Sequence, residues 1–215
     1  MDRRKFIKNA SRSAAAVAAV APFVTSGFAK NSPNERINVA VMGIRSRGRA
    51  HMRSFARLPN VEVTVINDID ERLLPEAVAE LEKVSGKKAK TEIDIRKVCD
   101  DKDVDVISIA SPNHWHALAA IWACQAGKDV YVEKPISHNI FEGRKIIEAA
   151  RKYKRIVQVG TQSRSSRITR SAMEFLHSGQ LGEIYMARSC LIKARDSFGR
   201  APNSEVPKGV HYDLW

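Results

Sequence analysis

Short apolar runs alternate with stretches of helical periodicity along the first two thirds of the chain. The apolar runs predict strands over residues 37–42, 61–66, 104–110, 129–132 and 156–159. A less regular segment, residues 89–99, predicts one short strand and one short helix. Apolar residues at helical spacing mark the helix faces expected to pack on the sheet: Met52, Phe55 and Ala56; Leu74, Val78 and Leu81; Leu118, Ile121 and Trp122; Ile146, Ile147 and Ala150. This alternation predicts an α/β fold with a doubly wound parallel sheet.

The pattern changes after the last of these strands. Residues 164–177 predict one more helix and residues 183–194 predict one long strand, beyond which the chain is loop-like. A solitary long strand needs partners to be stable. We therefore expect one domain over residues 35–160 and, over residues 161–215, the incomplete beginning of a second domain of a longer protein.

The first 29 residues have the pattern of a twin-arginine signal peptide. Arg3 and Arg4 precede an Ala/Val-rich segment, residues 14–24, and small residues at positions 27 and 29 suit cleavage after Ala29. The apolar segment is too short to be a permanent membrane anchor. We expect export through the twin-arginine machinery, which would make the mature protein periplasmic or secreted.

The positive charge of the chain gives little support to nucleic-acid binding. The formal net charge is +12, and residues 1–29 contribute five basic side chains and one acidic one, so +8 belongs to the rest. Those positive residues are scattered over the predicted helices, without a basic tail or an aromatic stacking platform. We therefore predict no nucleic-acid partner.

Cysteine and histidine positions predict neither thiol chemistry nor a metal site. Cys99, Cys124 and Cys190 form no C-x-x-C pair, and Cys124 falls in an apolar helical pattern typical of a core residue. His114 and His116 are two positions apart on a predicted helix and so point to different faces, with no carboxylate or cysteine nearby. We interpret these histidines as structural.

The first predicted strand leads into a glycine turn and a helix. Its residues Gly43, Ile44, Arg45, Ser46 and Gly48 form the pattern G-x-R-x-x-G. The exposed N–H groups and dipole of a helix N-terminus bind phosphate well. The middle glycine of the dinucleotide fingerprint is replaced by Arg45, so the motif alone also fits a plain strand–turn–helix.

An acid at the end of the second strand favours nucleotide binding. Asp68 lies 20 residues beyond Gly48 (68 − 48), where a Rossmann unit places the carboxylate that binds the ribose hydroxyls. The alternative is that Asp68 only caps a helix beginning near Glu71.

Two further motifs lie at predicted carboxyl ends of strands, where an open α/β sheet binds its ligand. One contains Ser111, Asn113 and His116, and the other is Glu133-Lys134 followed by proline. Partial burial of such a lysine would lower its pKa and suit it to proton transfer. The alternative for this second motif is a surface Lys-Pro turn.

Taken together, these motifs resemble the glucose–fructose oxidoreductase, inositol dehydrogenase and rhizopine-catabolism family (Gfo/Idh/MocA), with the leader similar to an exported bacterial branch. The resemblance extends over residues 37–194, and Glu133-Lys134-Pro135 is its most specific motif. It implies a Rossmann domain followed by an α+β domain with an open antiparallel sheet. It also implies a sugar or polyol substrate and a homo-oligomer in the full-length form.

The resemblance also implies roles for individual residues. Lys134 matches the family lysine that contacts nicotinamide and substrate, Asp68 matches the reader of the ribose, and Gln162 matches a polar residue near the substrate. The expected cofactor contacts come from Gly43, Ile44, Arg45, Ser46, Gly48, Asp68, Ser111, Asn113, His116, Glu133, Lys134 and Gln162. The family's other catalytic pair, an acid and a histidine, is expected beyond residue 215, and its role is not assigned to His211.

The resulting expectation is an NAD-dependent oxidoreductase in which Lys134 assists proton transfer. Arg45, Arg47 and Arg49 could instead embrace the 2′-phosphate of NADP, but the like charge of Asp68 opposes it, so NAD is favoured. Two alternatives stay open. One is a glycoside-cleaving enzyme that oxidises its sugar transiently with NAD, and the other is a non-catalytic nucleotide-binding sensor or scaffold.

Overall fold

The computed structural model describes residues 36–190, 196–197 and 199–215. The predicted signal peptide, residues 1–29, lies outside the described residues, as do residues 191–195. The regular elements are β1 (Ile37–Met42), α1 (Arg47–Phe55), β2 (Val61–Asn67), α2 (Leu74–Ser85), β3 (Lys90–Glu92), α3 (Ile95–Asp100), β4 (Val106–Ile109), α4 (Asn113–Gln125), β5 (Asp129–Glu133), α5 (Ile140–Tyr153), β6 (Val157–Gly160) and α6 (Arg167–His177). Within the described ranges, no helix combines the length and the apolarity that crossing a membrane requires.

The six strands form one parallel sheet in the order β3-β2-β1-β4-β5-β6. This order confirms the predicted doubly wound fold, including the short strand and helix within residues 89–99. The strand order reverses between β1 and β4, and a ligand crevice forms at such a switch point, outside the carboxyl ends of the strands.

Each face of the sheet has its own apolar core, because successive side chains of a strand point to opposite faces. In β1, Val39 and Val41 pack with α1 and α2, whereas Ala40 and Met42 pack with α3, α4 and α5. Both cores are made of residues that lie at most a few per cent exposed. The two layers of helices hold the carboxyl ends of the strands in fixed positions.

The sheet-facing side of α4 differs from the prediction. Leu118 is 41% exposed, and the fully buried positions are small residues and one histidine: His116, Ala117, Ala119, Ala120, Ala123 and Cys124. Small side chains let this helix lie close to the sheet and to α5, so its large residues sit at the margins. In α5, similarly, Ile146 is buried while Ile147 is 47% exposed.

The prediction of a long strand after α6 is wrong for residues 183–190. These residues are exposed and have no strand structure, because no neighbouring strand in the described residues supplies ladder hydrogen bonds. Residues 191–194 of the predicted strand lie outside the described part.

The last nine residues return to the sheet. We call residues 207–215 the strap. The Val210 position forms an antiparallel bridge with Asp70, the His211 N–H donates to the Ile69 carbonyl at 3.0 Å, and the Glu71 N–H donates to the Gly209 carbonyl at 2.9 Å. The strap is therefore tied to the loop that follows β2.

Candidate functional site

The glycine turn between β1 and α1 packs directly against the end of β4. Gly43 has φ +82°, and a Cβ there would lie 2.6 Å from the Ser111 nitrogen. A Cβ at Gly48 would collide with the Gly43 carbonyl oxygen. Both positions require glycine on steric grounds, and the turn is thereby held beside Ser111.

The start of α1 offers donors for an anion. Its cap residue Ser46 makes no side-chain capping bond, and Arg45 and Ser46 are both exposed. The Ser111 hydroxyl is buried with no partner among the described residues, and Ser111 lines the cleft beside the turn. Unpaired N–H groups, an unused hydroxyl and the Arg45 charge fit the pyrophosphate of a dinucleotide.

Asp68 links the end of β2 to the glycine turn. Its carboxylate accepts hydrogen bonds from the N–H of Ile44 at 2.8 Å and from the N–H of Asp70 at 3.0 Å. A carboxylate has about four acceptor positions, so about two stay available for a ribose diol on the cleft side. The residue that caps the following turn is Asp70, which accepts from the Arg72 N–H at 3.2 Å. The alternative that Asp68 is only this cap is therefore wrong.

The three arginines considered for a 2′-phosphate point in different directions. Arg49 forms ion pairs with Glu76 and Glu80 of α2, and Arg47 pairs with Glu133. Arg45 lines the cleft and forms no ion pair within the described residues. One arginine, rather than a cluster of three, therefore faces the nucleotide position.

Two other arginines at the cleft are tied to neighbouring carboxylates. Arg72 binds Asp70 through two bonds of 2.7 Å, and Arg96 binds Asp94, with the shortest bond at 2.6 Å. The hydrogen bonds from these guanidinium groups lower the pKa of Asp70 and of Asp94. Each arginine is thereby largely neutralised by its own partner.

A buried network that the sequence analysis missed surrounds Glu133. Its carboxylate accepts from Arg47 Nε at 2.7 Å, from His51 Nε2 at 3.0 Å and from the Lys134 N–H at 3.2 Å. His51 Nδ1 lies 2.9 Å from the Ser108 hydroxyl. The only available signal was spacing, because Arg47 and His51 stand at i and i+4 of α1 and so share one face.

Protonation states in this network follow from burial and pairing. Burial lowers the pKa of His51, and the hydrogen bond to Glu133 opposes that shift only in part. Burial acts to raise the pKa of Glu133, but hydrogen bonds from Arg47 and His51 outweigh it, and the pKa is lowered. A neutral His51 then donates a hydrogen bond from Nε2 to the Glu133 carboxylate and accepts a hydrogen bond at Nδ1 from the Ser108 hydroxyl.

Lys134 follows this anchored glutamate, and its peptide bond with Pro135 is cis. Its side chain is exposed and forms no hydrogen bond within the described residues, so the partial burial expected from the sequence is absent. Gln162 lies after β6. When its side-chain amide is oriented so that both the nitrogen and the oxygen have hydrogen-bond partners, the oxygen accepts from Arg47 Nη2 at 3.1 Å. Arg47 therefore connects Glu133 with Gln162.

His116 holds two strand ends together from within the core. It is 1% exposed, and its ring nitrogens lie 2.6 Å from the Pro135 carbonyl and 2.8 Å from the Ser111 carbonyl. It contributes to the site by fixing these two turns. Asn113 begins α4 and is exposed. In the described part of the chain, no three His, Cys, Asp or Glu side chains are grouped to hold a metal ion.

A cleft of about 720 Å³ lies over the carboxyl ends of β1 and β2. Four of the predicted cofactor contacts line it, namely Gly43, Arg45, Asp68 and Ser111. Glu133, Lys134 and Gln162 are not part of its lining and follow β5 and β6 instead. The predicted residues thus form two groups, one in the cleft and one after β5 and β6, and Arg47 and His51 of α1 reach the second group through Glu133.

The fold and the cleft define a Rossmann protein with a dinucleotide-type crevice. The family model described as oxidoreductase family, NAD-binding Rossmann fold (Gfo/Idh/MocA) matches residues 37–161, and the chain belongs to this family. The resemblance found in the motifs is thereby confirmed at the level of the family.

Individual relatives include two dehydrogenases and a glycosidase. The chain is 28% identical over 176 residues to a levoglucosan dehydrogenase of Pseudarthrobacter phenanthrenivorans, covering 80% of this chain and 44% of the relative. It is 29% identical over 180 residues to an inositol 2-dehydrogenase of Salmonella typhimurium, covering 83% and 51%. It is 25% identical over 162 residues to an α-N-acetylgalactosaminidase of Shewanella oneidensis, covering 74% and 35%.

Among solved structures, a myo-inositol dehydrogenase of Lactobacillus casei in complex with NAD(H) and myo-inositol matches with 26% identity and a TM-score of 0.62. The match covers 68% of this chain and 43% of that chain. The chain thus spans about half the length of these relatives, or less.

Proposed function

We propose that this chain is the cofactor-binding part of an NAD-dependent oxidoreductase that acts on a sugar or polyol. The observation that carries the proposal is Asp68, whose carboxylate bonds to the glycine turn and still has acceptor positions facing the cleft. This arrangement suits the two hydroxyls of an adenosine ribose. The dehydrogenase relatives support a polyol or sugar as the substrate class.

The charges around Asp68 support NAD over NADP. Arg72 and Arg96 are each engaged by a carboxylate, and a 2′-phosphate would meet the negative charge of Asp68. Arg45 is the basic side chain of the turn that faces the cleft, beside the start of α1, and it suits the pyrophosphate. A 2′-phosphate would therefore find repulsion without a free arginine cluster to offset it.

Bound NAD would supply the acceptor for a hydride at its nicotinamide ring. Lys134 is the residue of this chain that we assign to the substrate hydroxyl proton. Its backbone N–H donates to Glu133, and its side chain is exposed and therefore accessible to a substrate. Glu133 is in turn held by Arg47 and His51, so the turn that carries Lys134 has a rigid base.

Cofactor titration by calorimetry tests the nucleotide assignment. Asp68→Ala should weaken NAD binding by about 1–3 kcal/mol, since it removes hydrogen bonds to a charged acceptor. Asp103→Ala is the matched control, because Asp103 is an exposed aspartate outside the cleft. Equal or tighter NADP binding by the unmodified protein would contradict the NAD assignment.

Single-turnover kinetics of the full-length protein test Lys134. Lys134→Ala should slow the chemical step by about 10²–10⁴-fold, as expected for a positioned proton-transfer group, while NAD still binds. Lys145→Ala on α5 is a suitable control, because that lysine is exposed and pairs with Glu148. An unchanged chemical step in Lys134→Ala would refute the catalytic role.

A second candidate is glycoside cleavage with transient oxidation of the sugar. The similarity to an α-N-acetylgalactosaminidase favours keeping it, although the dehydrogenase relatives match with higher identity. Net cofactor turnover separates the two. A dehydrogenase accumulates NADH steadily with substrate, whereas the glycoside-cleaving enzyme regenerates its NAD and releases a free sugar.

We also propose twin-arginine export and a homo-oligomeric full-length form. The export proposal rests on Arg3 and Arg4 and on the apolar segment that follows them. Changing both arginines to lysine should retain the precursor in the cytoplasm, which cell fractionation measures. Normal export of that variant, or a mature N-terminus elsewhere than after Ala29, would contradict the assignment.

A further inference from the structure

We propose that the strap, residues 207–215, forms the roof of an adenosine subsite, in which Tyr212 and Trp215 together with Trp115 of α4 bind the adenine base. This inference rests on the proposed function, because it assigns the adenosine half of the dinucleotide to a particular part of the cleft. Tyr212 and Trp215 lie outside the motifs from which the cofactor contacts were predicted, and Trp115 lies within one of them but was assigned no role.

The first support is where one end of the strap is attached. The His211 N–H donates to the carbonyl of Ile69, the residue directly after Asp68, and the Glu71 N–H donates to Gly209. A side-chain contact of 2.6 Å between His211 Nε2 and Glu71 strengthens the same junction. The strap therefore begins its passage next to the carboxylate assigned to the ribose.

The second support is where the other end is attached. The indole N–H of Trp115 donates to the Trp215 carbonyl oxygen at 2.7 Å, and His114 Nε2 lies 2.9 Å from the same oxygen. Both donors belong to the first turn of α4, which follows β4. The strap thus crosses from the end of β2 to the end of β4, and the cleft lies between these two attachments.

The third support is the chemistry of the space between the attachments. Apolar and aromatic groups surround it, and the lining includes Ile95, Pro112, Trp115, Trp122 and Leu214. Tyr212 and Trp215 also line the cleft, yet they are 61% and 51% exposed. Large aromatic faces left uncovered beside an apolar slot suit a flat heteroaromatic ring, because such rings gain by stacking.

The cleft contains a position for each group of the adenosine half of a dinucleotide. Arg45 and the glycine turn provide a phosphate position, Asp68 provides a ribose position, and Trp115, Tyr212 and Trp215 line the same cleft. The nicotinamide end would then extend the opposite way, toward Lys134. The adenine is therefore the part of the cofactor that reaches the strap.

The experiment compares two halves of the cofactor in the full-length protein. Binding of NAD, of ADP-ribose and of nicotinamide mononucleotide is measured by calorimetry for the unmodified protein and for Tyr212→Ala/Trp215→Ala. The double variant should raise the Kd for NAD and for ADP-ribose by about tenfold or more through lost stacking, and change the Kd for nicotinamide mononucleotide less than about twofold. Val206→Ala is the matched control, because Val206 is an exposed apolar residue immediately before the strap that does not line the cleft.

A milder variant keeps the test decisive if the double variant does not fold. Trp115→Phe retains an aromatic ring but removes the indole N–H that holds the strap, and it should raise the Kd for ADP-ribose by about threefold. Tyr153→Phe is the control, because it also keeps an aromatic ring and removes one hydrogen-bond donor, at a residue of α5 that does not line the cleft, and it should leave the Kd nearly unchanged.

The outcomes separate the two proposals. Failure of the unmodified protein to bind NAD would refute the proposed function and this inference with it. Normal NAD binding that the strap variants leave unaltered would overturn the adenosine subsite alone. Equal weakening of ADP-ribose and of nicotinamide mononucleotide would also overturn it, because it would mean that the strap supports the fold rather than the base.

Discussion

Two regions of the molecule contain amphipathic helices, but only one of them buries their apolar faces. In residues 36–160, α5 packs on the sheet and Ile146 is 1% exposed. In residues 161–206, α6 has no buried residue, and Ile168 is 82% exposed. Hydrophobic periodicity therefore indicates that a helix has an apolar face to be covered, but it does not indicate which part of the protein covers that face.

The difference reflects what each region contacts. Each of the strands β1 to β6 is hydrogen-bonded to its neighbours in one sheet, and α1 to α5 cover the two faces of that sheet. Residues 183–190 pair with no strand in the described part of the chain. Position in the sequence does not decide the matter, because the strap lies later still and is tied to the first region by backbone bonds.

Thiol reactivity should give the largest contrast between the regions. Cys99 and Cys124 are buried in the first region, and burial raises the pKa of Cys99 to about 11 and also raises the pKa of Cys124. Cys190 is exposed. Because the thiolate is the reactive form, alkylation at pH 8 should be at least about 100-fold faster at Cys190, as followed by mass spectrometry. Cys190→Ser should abolish the fast phase, and equal rates at all three sites would contradict the comparison.

Two glycines with the same backbone angle offer a second contrast. Gly43 and Gly182 both have φ +82°, but a Cβ at Gly43 would press on Ser111 and Ala110, whereas nothing lies within 4 Å of a Cβ at Gly182. Gly43→Ala should lower the free energy of unfolding by about 4 kcal/mol or more. Gly182→Ala should cost about 1–2 kcal/mol at most, for the left-handed backbone alone. Similar losses in urea titrations of the two variants would show that contacts do not distinguish the turns.

Two helical isoleucines give a smaller contrast of the same kind. Ile146→Ala on α5 removes buried methyl groups and should lower the free energy of unfolding by about 3 kcal/mol. Ile168→Ala on α6 removes exposed ones and should change it by less than about 0.5 kcal/mol. Urea titration measures both. A large loss in Ile168→Ala would mean that the face of α6 is covered in solution.

Much of the Rossmann region could be predicted from the sequence because its signals are local. Buried parallel strands are short apolar runs, and Gly43 and Gly48 stand where the chain turns and packs closely. The exposure of Leu118 could not be read from α4, because a helix rich in alanine has no single apolar face. Which face meets the sheet depends on tertiary packing.

The candidate site was predictable where a motif lies at a strand end and was not where side chains meet across the sheet. Glu133 was expected from its motif, but its partners Arg47, His51 and Ser108 come from α1 and β4. Their meeting depends on sheet order, which periodicity does not encode. The strap was expected to be loop-like, but it contains a 3₁₀ turn at Tyr212–Leu214 and a bridge from Val210 to Asp70. Its attachment to Ile69 involves backbone groups that carry no sequence signal.

The pH dependence of stability should give the smallest contrast, and its sign follows from His51. Its pKa in the folded state is lowered below the ordinary value of 6.5, so between that lowered pKa and about pH 6.5 the unfolded chain binds more protons than the folded one. Stability should therefore fall as the pH falls from 7 to 5. Glu133 has a lowered pKa as well, but its stabilisation is fully present above its ordinary value of about 4.5 and is lost only below it.

Substitution separates the His51 contribution from those of other groups. His51→Gln removes the titration and should flatten the dependence of unfolding free energy on pH between 7 and 5, by up to about 1.4 kcal/mol per pH unit for one proton. His177→Gln on α6 is the matched control, because it makes the same substitution at an exposed histidine of the second region. Urea titrations at several pH values measure both slopes. If His51→Gln kept the full slope, the buried network around Glu133 would not be the part of the fold that resists protonation, and the first region would owe its acid sensitivity to other groups.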